Sequence, residues 1–369
     1  MKSVYGGYVR IETDGAAYFA GANTANGFEG LYGGIADERR MEHVYILKGG
    51  PGTGKSTLIR KAAAAAEKEG VPAELYFCGS DPDSLDCAVL GGRIAVLDGT
   101  APHVRDMTYP GAASSLIDLS RFWDSGLLEA ARNEIFAHSE AKSAHWASAY
   151  RWMRAAGATD EERTAHAERC FDAGKASAYI GRLMKRLGKP APEEKGVTQV
   201  RYTRAVTMRG RVYLPAFEHL AGSGNVFAVA DAYGCAVPFL ALLAGRLAAA
   251  GYDMIVSRLP VTGHIDGIYL PAHRFAAVTA LPLPASETES RMIRMTRFVR
   301  DDIPDGVRGP MRLAAKTEEA CMEEACACLT RAAEEHFALE DIYKRAMDFP
   351  ALGRCTKKVC AEIAERLKK

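Results

Sequence analysis

Residues 43–57 constrain the fold more than any other part of this 369-residue chain. Four apolar, β-prone residues, 44–47, predict a buried strand, and the glycine-rich run GGPGTGKST at 49–57 follows almost directly. An alanine-rich stretch then predicts a helix that ends near Gly70. A buried strand, a glycine loop and a helix in this order are typical of a phosphate-binding loop in an α/β fold.

The residue types in this loop suit a bound phosphate. Glycines let successive backbone N–H groups approach an anion without a Cβ clash, and the helix adds its positive end. Lys55 is predicted to be a catalytic residue that binds the β- and γ-phosphates, and the Ser56 hydroxyl is predicted to bind Mg²⁺. A glycine-rich turn in another α/β domain is the alternative. The residues expected to bind nucleotide are Gly49, Gly50, Pro51, Gly52, Thr53, Gly54, Lys55, Ser56 and Thr57.

A second apolar run, 93–98, ends in a carboxylate, Asp98. An acid at the tip of a buried strand can hold hydrated Mg²⁺ opposite Ser56. The alternative is an aspartate that caps the turn at 98–100. We therefore expect Asp98 to act in catalysis and, with Ser56, to hold the metal.

A loop after the strand predicted at 74–78 carries three further carboxylates. Loops that follow strand ends line the ligand crevice of an open α/β sheet. Asp83 and Asp86 are therefore candidates to position water, a second substrate or the metal, although ordinary turn chemistry also explains this Asp-Pro-Asp-Ser run. His103, shortly after Asp98, is a further candidate for sensing the γ-phosphate or assisting proton transfer.

The loop and Asp98 resemble the P-loop NTPase superfamily. Residues 19–28 (FAGANTANGF), 83–86 (DSLD) and 97–103 (LDGTAPH) narrow the resemblance to an uncharacterised bacterial family of ATPases with two tandem P-loop repeats. This resemblance extends over most of the chain. It implies nucleotide binding and an α/β fold of two tandem P-loop domains, mainly parallel sheets flanked by helices, each with a long helical appendage.

A weak self-similarity at roughly 180 residues indicates the two copies. Thr24 and Gly27, for example, match Thr207 and Gly210. The polar Pro/Gly segment 188–196 is predicted to be the linker. The expected domains are 1–187, with a helical appendage at about 127–187, and 197–369, with an appendage at about 311–367.

The second copy lacks the residues that bind phosphate. It has Asp231 for Gly49, Ala236 for Gly54, Val237 for Lys55, Pro238 for Ser56 and Thr279 for Asp98. We therefore expect this half not to bind nucleotide. It is expected to serve as a scaffold, or to lend a cation such as Arg258 or Arg274 to the first half.

The composition of the chain narrows the classes of partner that it is expected to bind. Lys and Arg number 47 against 46 Asp and Glu, which argues against a dedicated nucleic-acid binder. The longest apolar stretch, 239–250, is too short and interrupted to cross a bilayer. Nine cysteines without a visible export signal predict free thiols and a cytoplasmic location, with no membrane partner. The oligomeric state is left open.

The leading interpretation is a Mg²⁺-dependent ATP-binding protein with ATPase activity. Many ATPases of this superfamily carry a glutamate after the metal-binding aspartate, but here that residue is Gly99. One alternative is therefore a kinase of a nucleotide or small molecule. Another is a regulator with little turnover that docks a protein partner through its helical appendages. The sequence does not separate ATP from GTP, although it contains no evident guanine-reading N-K-x-D loop.

Overall fold

The computed structural model describes residues 8–13, 15–102, 104–222, 224–280, 291–303 and 306–368, and the backbone of 4–5. Within its first half lie β1 (Val4–Tyr5), β2 (Tyr8–Arg10), β3 (Ala17–Phe19), β4 (Gly21–Thr24), β5 (Gly27–Gly30), α1 (Tyr32–Ile35), β6 (His43–Lys48), α2 (Lys55–Lys68), β7 (Ala73–Phe77), β8 (Leu85–Leu90), β9 (Ile94–Asp98), β10 (Ser114–Asp118), α3 (Ser125–Ala130), α4 (Arg132–Cys170) and α5 (Ala173–Leu187).

The second half repeats this order of elements closely. It contains β11 (Thr198–Arg201), β12 (Arg204–Thr207), β13 (Gly210–Tyr213), α6 (Ala216–Ala221), β14 (Val226–Ala230), α7 (Ala236–Ala249), β15 (Met254–Arg258), β16 (Ile265–Leu270), β17 (Phe275–Thr279), β18 (Arg291–Arg294), α8 (Arg308–Ala346) and α9 (Phe349–Leu367). Short 3₁₀ turns at Ser120–Phe122 and Met295–Phe298 precede the long helices.

Two six-stranded sheets form the body of the molecule. Their strand orders correspond position by position: β10-β6-β9-β8-β7-β3 in the first and β18-β14-β17-β16-β15-β11 in the second. In each sheet one strand, β8 or β16, runs antiparallel to its neighbours, and the other pairings are parallel. The predicted α/β fold with mainly parallel, helix-flanked sheets is confirmed at this level.

Strand β8 differs from the sequence expectation, which placed Asp86 in a loop. All six residues of β8 are buried, and Asp86 is the second of them. The run LDCAVL is apolar except for this aspartate, so burial between β7 and β9 outweighs the turn-forming tendency of the residues before it. Asp86 is therefore held on a strand rather than on a loop.

The apolar core is layered around the two sheets. Helices α2 and α9 pack together, with Leu58 and Ile363 in one cluster over the first sheet. Between the sheets, Tyr18 of the first packs with Phe217 of α6, which stacks on Tyr269 of the second. Beyond the second sheet lie α5 and α7. The layers therefore form one continuous body.

The final helix of each half packs on the other half's sheet. The expected domain bounds place α5 in the first domain and α9 in the second, whereas α5 packs against α7 and α9 packs against α2. Each helix begins at an aspartate cap, Asp172 or Asp348. The N–H of Asp172 donates to the Phe298 carbonyl and that of Asp348 to the Phe122 carbonyl, both at 2.7 Å. The appendages are thus exchanged between the halves.

Helices α4 and α8, each 39 residues long, form an antiparallel pair. Helix α4 contacts β4 and α7, and α8 contacts β12 and β13. Their contact is a smaller apolar cluster that includes Met153 and Leu329. His138 pairs with Glu335 at 2.6 Å and Arg163 with Glu318 at 3.4 Å, so the two helices run in opposite directions. No helix in the described ranges is long and apolar enough to cross a bilayer.

Candidate functional site

The glycine loop, residues 49–57, connects β6 to α2. Gly52 and Gly54 have φ values of 69° and 84°, in the left-handed region that side chains with a Cβ rarely adopt. Gly54 is the residue immediately before α2, so the helix begins at Lys55. The glycines therefore turn the chain sharply from a buried strand into a helix N-terminus.

Backbone donors accumulate at this turn. The N–H groups of residues 52–57 donate to no acceptor in the described part of the chain. The first N–H groups of any helix lack an intrahelical partner, and the helix dipole adds positive potential there. A cluster of free donors at a helix N-terminus is a binding site for an anion such as phosphate.

Lys55 lies over the loop. Its Nζ donates to the carbonyls of Gly49 and Gly50 at 3.0 and 2.7 Å, and lies 3.6 Å from Oδ2 of Asp98. The side chains of Lys55 and Asp98 are 13% and 12% exposed, so this pair is largely shielded from water. A partly desolvated cation beside free N–H donors strengthens the attraction for a polyphosphate.

Ser56 and Asp98 line the same cavity beside Lys55. Oγ of Ser56 accepts the N–H of Leu85 at 2.8 Å, which leaves its proton and a lone pair for another partner. Oδ1 of Asp98 accepts the N–H of Thr100 at 2.8 Å. Asp98 thus caps its turn through one oxygen and faces Lys55 through the other. A hydroxyl and a carboxylate are suitable oxygen donors for hydrated Mg²⁺.

The cavity beside the loop has a volume of about 790 Å³. Its floor is the glycine loop with the ends of the first sheet, and its walls come from α4 and α8. Pockets of about 300–1,000 Å³ are usual for small molecules and cofactors. The volume and the mixed polar and aromatic lining are therefore those of a small-molecule site.

Helix α8 covers the loop closely, although it belongs to the second half. A Cβ on Gly50 would lie 2.6 Å from the Tyr343 ring, and one on Gly52 would lie 2.8 Å from the Glu340 carbonyl. A Cβ on Gly54 would lie 2.9 Å from the Leu352 side chain of α9. These glycines are thus required by close packing as well as by backbone conformation. The second half completes the site by covering it.

Glu340 is the charged centre of this cover. The hydrogen bond from His336 and the contact with Lys344 at 2.8 Å lower the pKa of Glu340 to about 2. Glu340 is therefore ionised at neutral pH, and it balances cationic charge on α8 beside the loop. All three side chains line the cavity.

The loop acids predicted from the sequence separate in the structure. Asp86 is buried, lines the cavity and accepts the hydroxyl of Tyr32 at 2.8 Å. Asp83 is half exposed, pairs with Arg209 and is not among the cavity-lining residues. Asp81 lines the cavity instead, and burial raises its pKa. His103 lies outside the described residues.

In the second half, the N–H donors of the corresponding loop are bound by a side chain of that loop, Asp231. The Asp231 carboxylate accepts the N–H groups of Gly234 and Ala236 at 3.1 and 2.8 Å. The N–H of Cys235 donates to Ala232 and that of Val237 to Gly234. An internal carboxylate thus takes the donors at the start of α7 that remain free at α2.

The second half contributes cations to the cavity, but these are not the expected Arg258 or Arg274. Neither residue is among those that line the cavity, and Arg258 donates to the Gly263 carbonyl. The cations that the second half does bring to the cavity are His336 and Lys344 of α8. The i, i+4 spacing of His336, Glu340 and Lys344 indicates one helix face, but nothing local in the sequence indicates what that face covers.

Asn23 and Thr24 also have defined positions. Nδ2 of Asn23 donates to the carbonyls of Gly79 and Val206 at 3.1 and 2.8 Å, and its Oδ1 accepts the Tyr150 hydroxyl at 3.1 Å. Thr24 bonds within the β4–β5 hairpin turn. Asn23 therefore joins the two halves and α4 at the far end of the cavity.

Comparisons of the chain with protein-family models, curated proteins and solved structures return no match. The function is therefore inferred from the site itself.

Proposed function

We propose that this protein is a P-loop NTPase with two tandem domains, which binds Mg²⁺-ATP in its first half and hydrolyses it. The glycine loop would hold the phosphates, Lys55 would bind the β- and γ-phosphates, and Ser56 and Asp98 would hold the metal. GTP remains an alternative nucleotide, since no contact described above reads the base.

The contrast between the two loops carries this proposal. At α2 the N–H groups of residues 52–57 have no acceptor in the described structure, whereas at α7 the Asp231 carboxylate accepts from the equivalent turn. A carboxylate is an anion, so Asp231 occupies the role that a phosphate would have. The same backbone geometry in the first half, without an internal anion and with Lys55 beside it, favours an anionic ligand.

The residues of the first loop suit phosphoryl chemistry by positioning and charge. Bound Mg²⁺ would neutralise charge on the phosphate oxygens. Lys55 would hold the same oxygens from the protein side, and the desolvated setting would strengthen both attractions. Asp86 or Asp81 would orient the attacking water, because both line the cavity and Gly99 offers no carboxylate.

The direct test is a screen of the purified chain against ATP, GTP, CTP and UTP, each with and without Mg²⁺. Binding is measured by isothermal titration calorimetry, and turnover is measured by phosphate release. We expect Mg²⁺-dependent binding and release with ATP. Absence of binding to every nucleotide would overturn the proposal, and tight binding without release would favour the regulatory alternative.

A phosphotransferase is the second candidate, and the extent of the cavity favours it. A kinase must hold an acceptor as well as the nucleotide, and this cavity continues from Lys344 to Tyr150. Adding candidate acceptors to the phosphate-release assay separates the two reactions. A kinase would form nucleoside diphosphate faster with its acceptor present, without a matching rise in free phosphate.

Replacing Asp98 by asparagine tests the metal assignment. The amide keeps an acceptor for the Thr100 N–H but loses the charge that balances Mg²⁺, so the half-saturating Mg²⁺ concentration should rise about tenfold or more. Asp118→Asn is the matched control, because Asp118 also ends a strand and accepts the Ser120 N–H at 2.8 Å. Equal Mg²⁺ titrations of turnover for both variants would limit Asp98 to turn capping.

The closed second loop predicts one nucleotide per chain. Val237 offers no cation and Pro238 has neither a hydroxyl nor an N–H, while the Asp231 carboxylate repels phosphate by about 4 kcal/mol at 4 Å and an effective dielectric near 20. Titration with a non-hydrolysable ATP analogue should therefore give a stoichiometry near one. It should stay near one in Asp231→Ala, since the other losses remain. A value near two would contradict the assignment.

A further inference from the structure

The cavity extends well beyond the glycine loop. Glu340 of α8 contacts Gly52 in the loop, whereas Lys142 and Tyr150 line the cavity from α4. At a rise of about 1.5 Å per residue, Tyr150 lies about 12 Å further along α4 than Lys142. The cavity has a volume of about 790 Å³, so its α4 side offers room for a ligand beside the phosphates that the loop would hold.

Lys142 differs from the other basic residues of this wall. Lys55 lies near Asp98, whereas His336 and Lys344 pair with Glu340. Lys142 makes no ion pair or hydrogen bond with any described residue, and burial lowers its pKa with no carboxylate to oppose the effect. A half-buried ammonium without a counter-ion is unfavourable in isolation. Its position therefore favours an anion brought by a ligand.

Aromatic side chains lie beside this cation. Trp146 and Tyr150 follow Lys142 at four-residue intervals on the cavity face of α4, with ring centroids 5.8 Å apart. Phe28 lines the cavity as well. The polar atoms of Asn23 at this end are engaged by Gly79, Val206 and Tyr150. The wall thus offers planar apolar surface next to one positive charge.

We infer that the α4 end of the cavity is a subsite for a second ligand that carries a planar ring and an anionic group, with Lys142 binding the anion. Nucleoside monophosphates and aromatic carboxylates share this chemistry. Trp146 and Tyr150 would contact the ring. The inference rests on the proposed function, because it places this ligand beside the nucleotide bound at the glycine loop.

The test uses the full chain saturated with Mg²⁺ and a non-hydrolysable ATP analogue, which occupies the glycine loop. AMP, GMP, CMP, UMP and benzoate are then titrated separately by calorimetry. At least one probe should bind, with an affinity that falls tenfold or more in Lys142→Met and is retained in Lys142→Arg. Lys316→Met, an exposed α8 lysine outside the cavity lining, is the matched control and should change the affinity less than twofold. Circular dichroism establishes that each variant is folded.

The outcomes separate this inference from the proposed function. The same titrations are repeated without nucleotide and in Lys55→Ala. Probe binding that needs Lys142 but not Lys55 supports the subsite, even if the ATP analogue itself fails to bind. Binding that needs Lys55 but not Lys142 places the probe in the glycine loop and overturns the inference. Failure of all five probes to bind the wild-type chain overturns it as well.

Discussion

Lys55→Ala should bind ATP at least ten- to a hundredfold more weakly than the wild-type chain, and its turnover should fall by a similar factor. Each charge-assisted hydrogen bond from an ammonium to a phosphate oxygen contributes about 1.5–3 kcal/mol. In the structure the same ammonium donates to Gly49 and Gly50 and lies 3.6 Å from Asp98. The change would therefore remove the cation that we propose binds the phosphates.

Calorimetry with a non-hydrolysable ATP analogue measures the affinity, and circular dichroism monitors the fold. Lys68→Ala is the matched control, because Lys68 is an exposed lysine at the other end of α2. It should leave affinity and turnover unchanged. A folded Lys55→Ala protein with wild-type affinity would show that the glycine loop is not the nucleotide site.

Ile363→Ala should lower the free energy of unfolding by about 2–5 kcal/mol, the usual cost of truncating a fully buried isoleucine. Ile363 is on α9, is 0% exposed and packs in the cluster that contains Leu58 of α2. Because α9 is exchanged, the damage should appear in the first sheet rather than in the sheet of its own half. Nucleotide affinity should fall too, since Leu352 of α9 supports Gly54.

Urea denaturation measures the loss of stability, and amide hydrogen exchange locates it. We expect faster exchange in β6 and α2, and little change in β14 and α7. Glu365→Ala, an exposed position on the same helix, should alter stability by no more than about 0.5 kcal/mol. Faster exchange confined to β14 and α7 would contradict the exchanged packing.

The glycine loop and its flanking elements could be predicted because their signals are local. Residues 43–70 contain a continuous apolar run, glycines and a helix-forming stretch in sequence, and β6 and α2 form there with boundaries close to those expected. The position of Asp98 at the end of a strand could be predicted for the same reason, since β9 ends at this residue. A strand buried on both faces is marked by its own composition.

The packing of the long helices and the walls of the cavity could not be predicted in this way, because they depend on contacts between segments distant in the sequence. The amphipathic patterns of α5 and α9 predict that each buries a face, but no pattern states which sheet receives it. Lys142 and Glu340 lie on long helices. The 3.6-residue periodicity of these helices would fit equally well if both side chains were exposed to solvent. Asp83 and Asp86 look alike in the sequence and are separated only by the strand that begins at Leu85.

The exchange of α5 and α9 also bears on how the chain folds during translation. Helix α5 is synthesised before the second sheet that it covers, so its partner surface forms against a helix already present. Helix α9 follows α2 by about 280 residues. At a translation rate of roughly 5–20 residues per second, α9 is synthesised on the order of 15–60 s after α2. The apolar face of α2 lacks its partner helix during that time. The half that is made first therefore completes its packing last, and this apolar face of α2 stays exposed in the interval.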